Sequence, residues 1–291
     1  MRSRTVLWAL GGALVLAVAV VLVNTYRLGR THARLAADLV ADARSRTGTE
    51  SETDAETDAD ETFEPGDVEA LPAPVRRYFE TVLDEGQPHV RTVRLEQVGE
   101  FRLGGADAGW KPLEATQHYT VDPPGFVWDA TIDVAPLLPA RVVDAYAHGE
   151  GYLRGKLLST ITVVDVGPDP EMNESELVRY LAETPWFPTA LLPAAGVEWE
   201  PIDDRSARAT LEHDGNEASV VFHFDDENLI ERVTTGRYRQ EDDAMAPWEG
   251  RFWAYEQHNG MRIPTEAEVA WDLPAGEVSY WRARIEAIEY R

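Results

Sequence analysis

Residues 5 to 23, TVLWALGGALVLAVAVVLV, carry no charge, and only Thr5 and a pair of glycines dilute the apolar run. At 1.5 Å rise per residue, about 20 such residues cross the roughly 30 Å hydrocarbon layer of a bilayer. The uncharged stretch continues to Tyr26, so the sequence predicts a transmembrane helix over 5–26. Trp8 and Tyr26 stand near its two ends, where amphipathic rings favour the interface. A cleaved signal peptide is the competing reading. It fits less well, because the run exceeds the usual apolar region of a signal peptide and no small-x-small cleavage site precedes Asn24. With no cysteine in the chain, lipoprotein processing is excluded, as are disulfides and thiolate chemistry.

Charge divides the rest of the chain. Residues 1–46 hold 7 basic and 2 acidic side chains, residues 47–70 hold 10 acids and no base, and residues 71–291 hold 40 acids against 20 bases. A surface this acidic repels phosphates, so nucleic-acid binding is excluded. Of the 27 basic residues only Lys111 and Lys156 are lysines. Acid excess with so little lysine is the composition expected of a halophilic protein, since at about 1 M salt the Debye length falls to about 3 Å and self-repulsion is screened. Sidedness is nearly a tie: Arg2 and Arg4 flank one end of the span, and Arg27, Arg30 and Arg34 the other.

Four segments are expected: the span at 5–26, a juxtamembrane helical segment at 27–46, a disordered acidic stalk at 47–70, and one strand-rich soluble domain at 71–291. Residues 47–62, TGTESETDAETDADET, hold no large apolar side chain, so they should form a solvated spacer. Helical spacing of Val75, Tyr78, Phe79 and Val82 predicts a helix over 73–84, ended by Gly86. Period-two alternation marks strands in 93–103, 113–122, 126–133, 205–213, 218–225, 229–238, 249–257 and 279–290. Asp214-Gly215 and Asn259-Gly260 sit between strand pairs as hairpin turns. A second helix is expected at 174–184, with Asn173 as its N-cap and Glu176 closing a capping box. The expected fold is α+β, a curved and mostly antiparallel β-sheet forming an open half-barrel, with the two helices on its concave face.

Catalytic signatures are sparse. Gly155-Lys156 lacks both the upstream glycine of a phosphate loop, where Glu150 stands, and the following Ser or Thr, where Leu157 stands. No G-x-S-x-G or H-E-x-x-H occurs. His223 and Asp225 share a strand face and could ligate a metal, but a solvated pair is the commoner meaning, and neither metal nor cofactor is expected. Asn173-Glu174-Ser175 is a glycosylation sequon that matters only if the domain faces outward.

Eight tryptophans fall in the folded domain. They either pack its core or line a concave apolar pocket, and Trp128, Trp186, Phe187, Trp253 and Trp271 are the candidate pocket walls. The function that follows is a tethered binding or carrier module for an apolar, lipid-like ligand. The bilayer is its partner through the N-terminal helix. Two alternatives stand beside it: an envelope hydrolase using paired carboxylates such as Asp129 and Glu266, and a structural domain that binds a partner protein.

The runs LPAPVRRYFETVLDEGQPHVRTVRLEQVGEFRLG, GWKPLEATQHYTVDPPGFVWDATI, PWFPTALLPAAGVEWEPIDDRSARATL and PWEGRFWAYEQHNGMRIPTEAEVAW resemble a prokaryotic, haloarchaeal family of membrane-anchored proteins of unknown function. That resemblance implies no activity and no catalytic residue. The architecture also looks like the lipoprotein-carrier fold, an open half-barrel around acyl chains, which with the stalk implies an extracytoplasmic domain on a single-pass membrane anchor.

Overall fold

The computed structural model describes residues 2–50, 61–239 and 241–291, and the side chains of all of these except 2–14 and 46–50. α1 (Arg2–Glu50) is one continuous helix, so the expected span and the expected juxtamembrane helix form a single rod. The side chains of the first ten residues of the expected span lie outside the described residues. Among the described residues no helix is long and apolar enough to cross a membrane.

Most of the acidic stretch at 47–60 likewise lies outside the described residues, but its expected end at residue 70 is corrected. Phe63 is 2% exposed, Val68 is buried in a 3-10 turn (Pro65–Val68), and the Phe63 N–H donates to the Gln87 carbonyl at 2.8 Å. The two apolar side chains in this acidic run dock into the core, so the folded domain already includes Thr62 and Phe63. α2 (Ala73–Val82) follows, burying Pro74, Val75, Tyr78, Phe79 and Val82 as its spacing predicts.

Six strands then run in sequence: β1 (Thr92–Arg102), β2 (Trp110–Thr120), β3 (Gly125–Ala135), β4 (Leu138–Ala147), β5 (Glu150–Leu157) and β6 (Ile161–Val166). α3 (Pro170–Glu183) and three 3-10 turns between Thr184 and Ala195 interrupt them. Seven more strands follow: β7 (Glu198–Asp203), β8 (Ser206–His213), β9 (Asn216–Phe224), β10 (Ile230–Arg239), β11 (Ala244–His258), β12 (Met261–Leu273) and β13 (Gly276–Tyr290). The order is β6-β5-β4-β3-β2-β1-β13-β12-β11-β10-β9-β8-β7. Two antiparallel meanders are therefore stitched together by the β1–β13 pair, with Gly99 opposite Ala283 at the seam. As expected, Asp214-Gly215 and Asn259-Gly260 take positive φ in two-residue turns.

The sheet is strongly curled, because two strands far apart in its order meet the same helix. Gly151 of β5 donates its N–H to Asn173 of α3 at 2.8 Å, and Arg237 of β10 bonds Ser175 and Glu176 of the same helix. Eight strand spacings of about 4.8 Å would put β5 and β10 roughly 38 Å apart in a flat sheet, while α3 is only about 21 Å long. The arms also touch directly. Asn216 Nδ2 donates to the Gly149 carbonyl at 3.0 Å, and the Tyr146 hydroxyl lies 2.9 Å from His213 Nδ1. The edges β6 and β7 stay unpaired with each other, so the barrel is open.

The N-cap of α3 is also corrected. Asp169 caps it, accepting from the Met172 N–H at 2.8 Å, and Pro170 fills the first helical position. Asn173 lies one turn inside the helix, its amide oxygen holding β5.

Candidate functional site

The inner face of the sheet is apolar, and a segment of the chain itself fills it. From Thr184 to Leu192 the backbone makes only short 3-10 turns, so its carbonyls need partners from the surrounding wall. The Tyr290 hydroxyl donates to the Trp186 carbonyl at 2.7 Å, and Trp199 Nε1 donates to the Leu191 carbonyl at 2.9 Å. Thr189 Oγ1 accepts the Val90 N–H at 3.0 Å. Around this plug, Trp186 packs edge-on against Phe252 and beside Trp281, and Phe187 lies 4.7 Å from the Tyr119 ring. The plug reaches the surface at a cleft of about 410 Å³ lined by Leu192, Pro193, Ala194, Glu61, Thr62, Asp67 and His89.

Beside the plug, α3 carries charge into the interior. Arg179 bonds Asp144 of β4 at 2.5 Å and Glu183 at 2.9 Å, and Glu183 accepts from Gln117 at 2.8 Å and from the Tyr119 hydroxyl at 2.7 Å. Burial and the neighbouring Glu183 push the Tyr119 hydroxyl up, so it remains a donor. Arg237 bonds Glu176 at 2.7 Å, and its guanidinium lies near the Trp248 ring. Three carboxyls thus meet two guanidiniums. Burial and the nearby Asp144 push Glu176 up to about 8 against the pull of Arg237 and Arg179, which favours its protonated form at pH 7. The second oxygens of Asp144 and Glu176 and the side-chain amide oxygen of Gln117 are buried without a hydrogen-bond partner.

On the opposite face of the sheet, α1 packs along β3 and β4. Ala36 and Leu39 are buried against Val127, Val143, Ala145 and Ala147. The buried His32 meets Asp129 at 2.8 Å, and Arg141 grips the same carboxylate with two donors, at 3.0 and 2.5 Å. Asp129 is therefore a docking residue for the helix, a role its sequence context did not suggest. Glu266, its expected partner in hydrolysis, accepts from Trp253 Nε1 at 2.7 Å on the outer face of β12. Four strand spacings, about 19 Å, separate β3 from β12, well beyond the roughly 5–9.5 Å that a glycosidase pair requires.

The candidate pocket walls divide. Trp128, Trp186 and Phe187 are buried on the inner side, with Trp128 Nε1 donating to Gln97 at 3.0 Å. Trp271 is half-buried and stacked on Tyr280. Trp253 is 41% exposed on the outer face and does not join them. His223 bonds Thr234 Oγ1, while Asp225 accepts the Glu227 and Leu229 N–H groups in the following turn.

A family model described as "Family of unknown function (DUF6920)" matches residues 69–290. Among curated proteins none matches the chain. Of solved structures, a LolA superfamily protein from Nitrosomonas europaea is similar at 11% identity and a TM-score of 0.42, over 76% of this chain and 94% of that one. A β-barrel-like protein of a domain of unknown function from Brucella abortus is similar at 7% identity and a TM-score of 0.27, over 70% and 99%. No ligand is carried over from either.

Proposed function

We propose that this chain, which belongs to the family of unknown function DUF6920, is a membrane-tethered binding module that takes an apolar, lipid-like ligand onto the inner face of its sheet. The observation that carries this reading is the plug. An apolar segment without strand pairing fills a concave apolar wall, and its end lies at an open cleft. A ligand entering there exchanges with Trp186, Phe187, Leu191 and Leu192. Exposing those four side chains costs roughly 6–12 kcal/mol at about 1.5–3 kcal/mol each. A sixteen-carbon acyl chain recovers about 12 kcal/mol at ~0.8 kcal/mol per buried methylene, whereas an eight-carbon chain recovers only about half of that.

The tether in this proposal is 5–26, with the domain on the extracytoplasmic side in a high-salt setting. The uncharged run, the acidic spacer and the arginine-dominated basic set support it. Hydrogen exchange of the full chain in detergent tests the exchange step. Palmitate should accelerate exchange at the Phe187, Ala190 and Leu192 N–H groups, which close the plug's own turns, and octanoate should not. Unchanged exchange with saturating palmitate contradicts the reading.

A further inference from the structure

The packing of α1 fixes the height of the domain relative to the apolar run. Along the helix, Gly29 lies against the Arg141 guanidinium, His32 meets Asp129, and Asp42 lies 3.4 Å from His148. α1 and β4 therefore run side by side in the same direction. Seven strand residues, 141 to 148, accompany thirteen helical ones, 29 to 42, so four more the other way bring Leu137 level with about residue 22. A second contact agrees: Asn24, the first polar residue after the apolar run, bonds Thr160 in the β5–β6 turn at 3.2 Å. The β3–β4 and β5–β6 tips both end where the uncharged part of α1 ends.

Those tips have an unusual composition for so acidic a chain. Residues 134–140 (VAPLLPA) and 157–164 (LLSTITVV) carry no charge. Leu137 is 96% exposed, Ile161 57% and Val163 59%. Leucine also occupies left-handed backbone in both turns, at Leu137 (φ 62°) and Leu158 (φ 50°). That conformation favours glycine or asparagine. Turns elsewhere in the sheet supply such residues, as at Asn228 and in Asn259-Gly260. Lys156 stands one residue before the second tip, and Arg27, Arg30 and Arg34 are the first charges after the apolar run on α1.

The geometry points to the lipid bilayer as the surface these tips meet. Leu137, Leu138, Leu158, Ile161 and Val163 enter its interface beside the anchor, and Lys156 with the α1 arginines lies at headgroup level. The inference rests on the tethered reading above. Docking at two points besides the helix fixes the tilt of the barrel instead of leaving it to swing on a spacer.

The chain has no cysteine, so single cysteines can carry an environment-sensitive fluorophore at chosen sites. Full-length Leu137→Cys, Ile161→Cys, Leu16→Cys and Glu150→Cys proteins are labelled and reconstituted into phosphatidylcholine vesicles. Quenching by shallow nitroxide lipids is then compared with quenching by aqueous iodide. Labels at 137 and 161 should be quenched several-fold more by the lipid nitroxide than the label at 150, at the far end of the same strands, and protected from iodide. A label at 16 in lipid with 137 and 161 behaving like 150 overturns the docking and leaves the tether standing. A label at 16 open to iodide overturns both.

Discussion

Glu176→Gln removes a proton-binding group from the interior and should flatten the dependence of stability on pH. Glu176 is 2% exposed, with one oxygen on Arg237 and the other without a partner. Burial and Asp144 raise its carboxyl from 4.5 to about 8. The folded state therefore binds a proton that the unfolded state has released. Its contribution is full below pH 4.5 and is lost as pH rises through about 8. The limiting slope is about 1.4 kcal/mol per pH unit, so the window is worth roughly 3–5 kcal/mol for a group this buried.

Glutamine keeps an oxygen for Arg237 and cannot ionise. The variant should match the wild type near pH 5 and exceed its stability by several kcal/mol above pH 8. Urea unfolding of both proteins from pH 5 to 8.5, at constant salt, reads this as a difference in which other titrations cancel. A stability difference that stays constant across that range refutes the reasoning.

Other consequences follow from the packing. A Cβ at Gly99 would lie 2.1 Å from the Arg282 carbonyl, so Gly99→Ala should open the β1–β13 seam and cost about 3 kcal/mol or more in denaturant unfolding. Asp129→Asn should loosen α1 from the sheet, costing about 2–3 kcal/mol and exposing 30–45 to protease, because a charged acceptor of both His32 and Arg141 is lost. Burial raises the Asp129 carboxyl, but its bonds from His32 and Arg141 hold it below the usual range. The docking should therefore be at full strength above about pH 4, the ordinary carboxylate range, and be lost only as pH falls below that range. With a formal charge of −25, the midpoint of thermal unfolding should rise steeply between low salt and several molar.

Much of the sheet was legible because period-two alternation holds wherever one face is wet, as in β1, β8, β9 and β13. It fails in β4, whose Val143, Ala145 and Ala147 face α1 while Tyr146 faces the core. A strand buried on both faces reads as a plain apolar run, and the FVW and RVVDAYA segments carried that signal. β5 and β6 escaped notice for a related reason, since their apolar residues sit at the tips rather than alternating. The acid network was hidden by helix periodicity. Glu176, Arg179 and Glu183 fall at the spacing of a solvent-facing stripe, yet α3 lies inside the barrel and that stripe meets Asp144, Gln117 and Arg237. The stalk boundary shifted because Phe63 and Val68 are isolated in an acidic run, where composition outweighs two anchors. Trp128 and Trp186 are buried, but position along a strand alone could not assign Trp253 to the outer face.

The central claim, that the inner wall exchanges its plug for an acyl chain, is most directly tested by photolabelling the full chain with a diazirine fatty acid and mapping the modified peptides. Adducts within 184–199 and on inner-face strand residues such as Phe252 and Trp281, competed by palmitate, are the predicted result. Adducts confined to 5–26 contradict it.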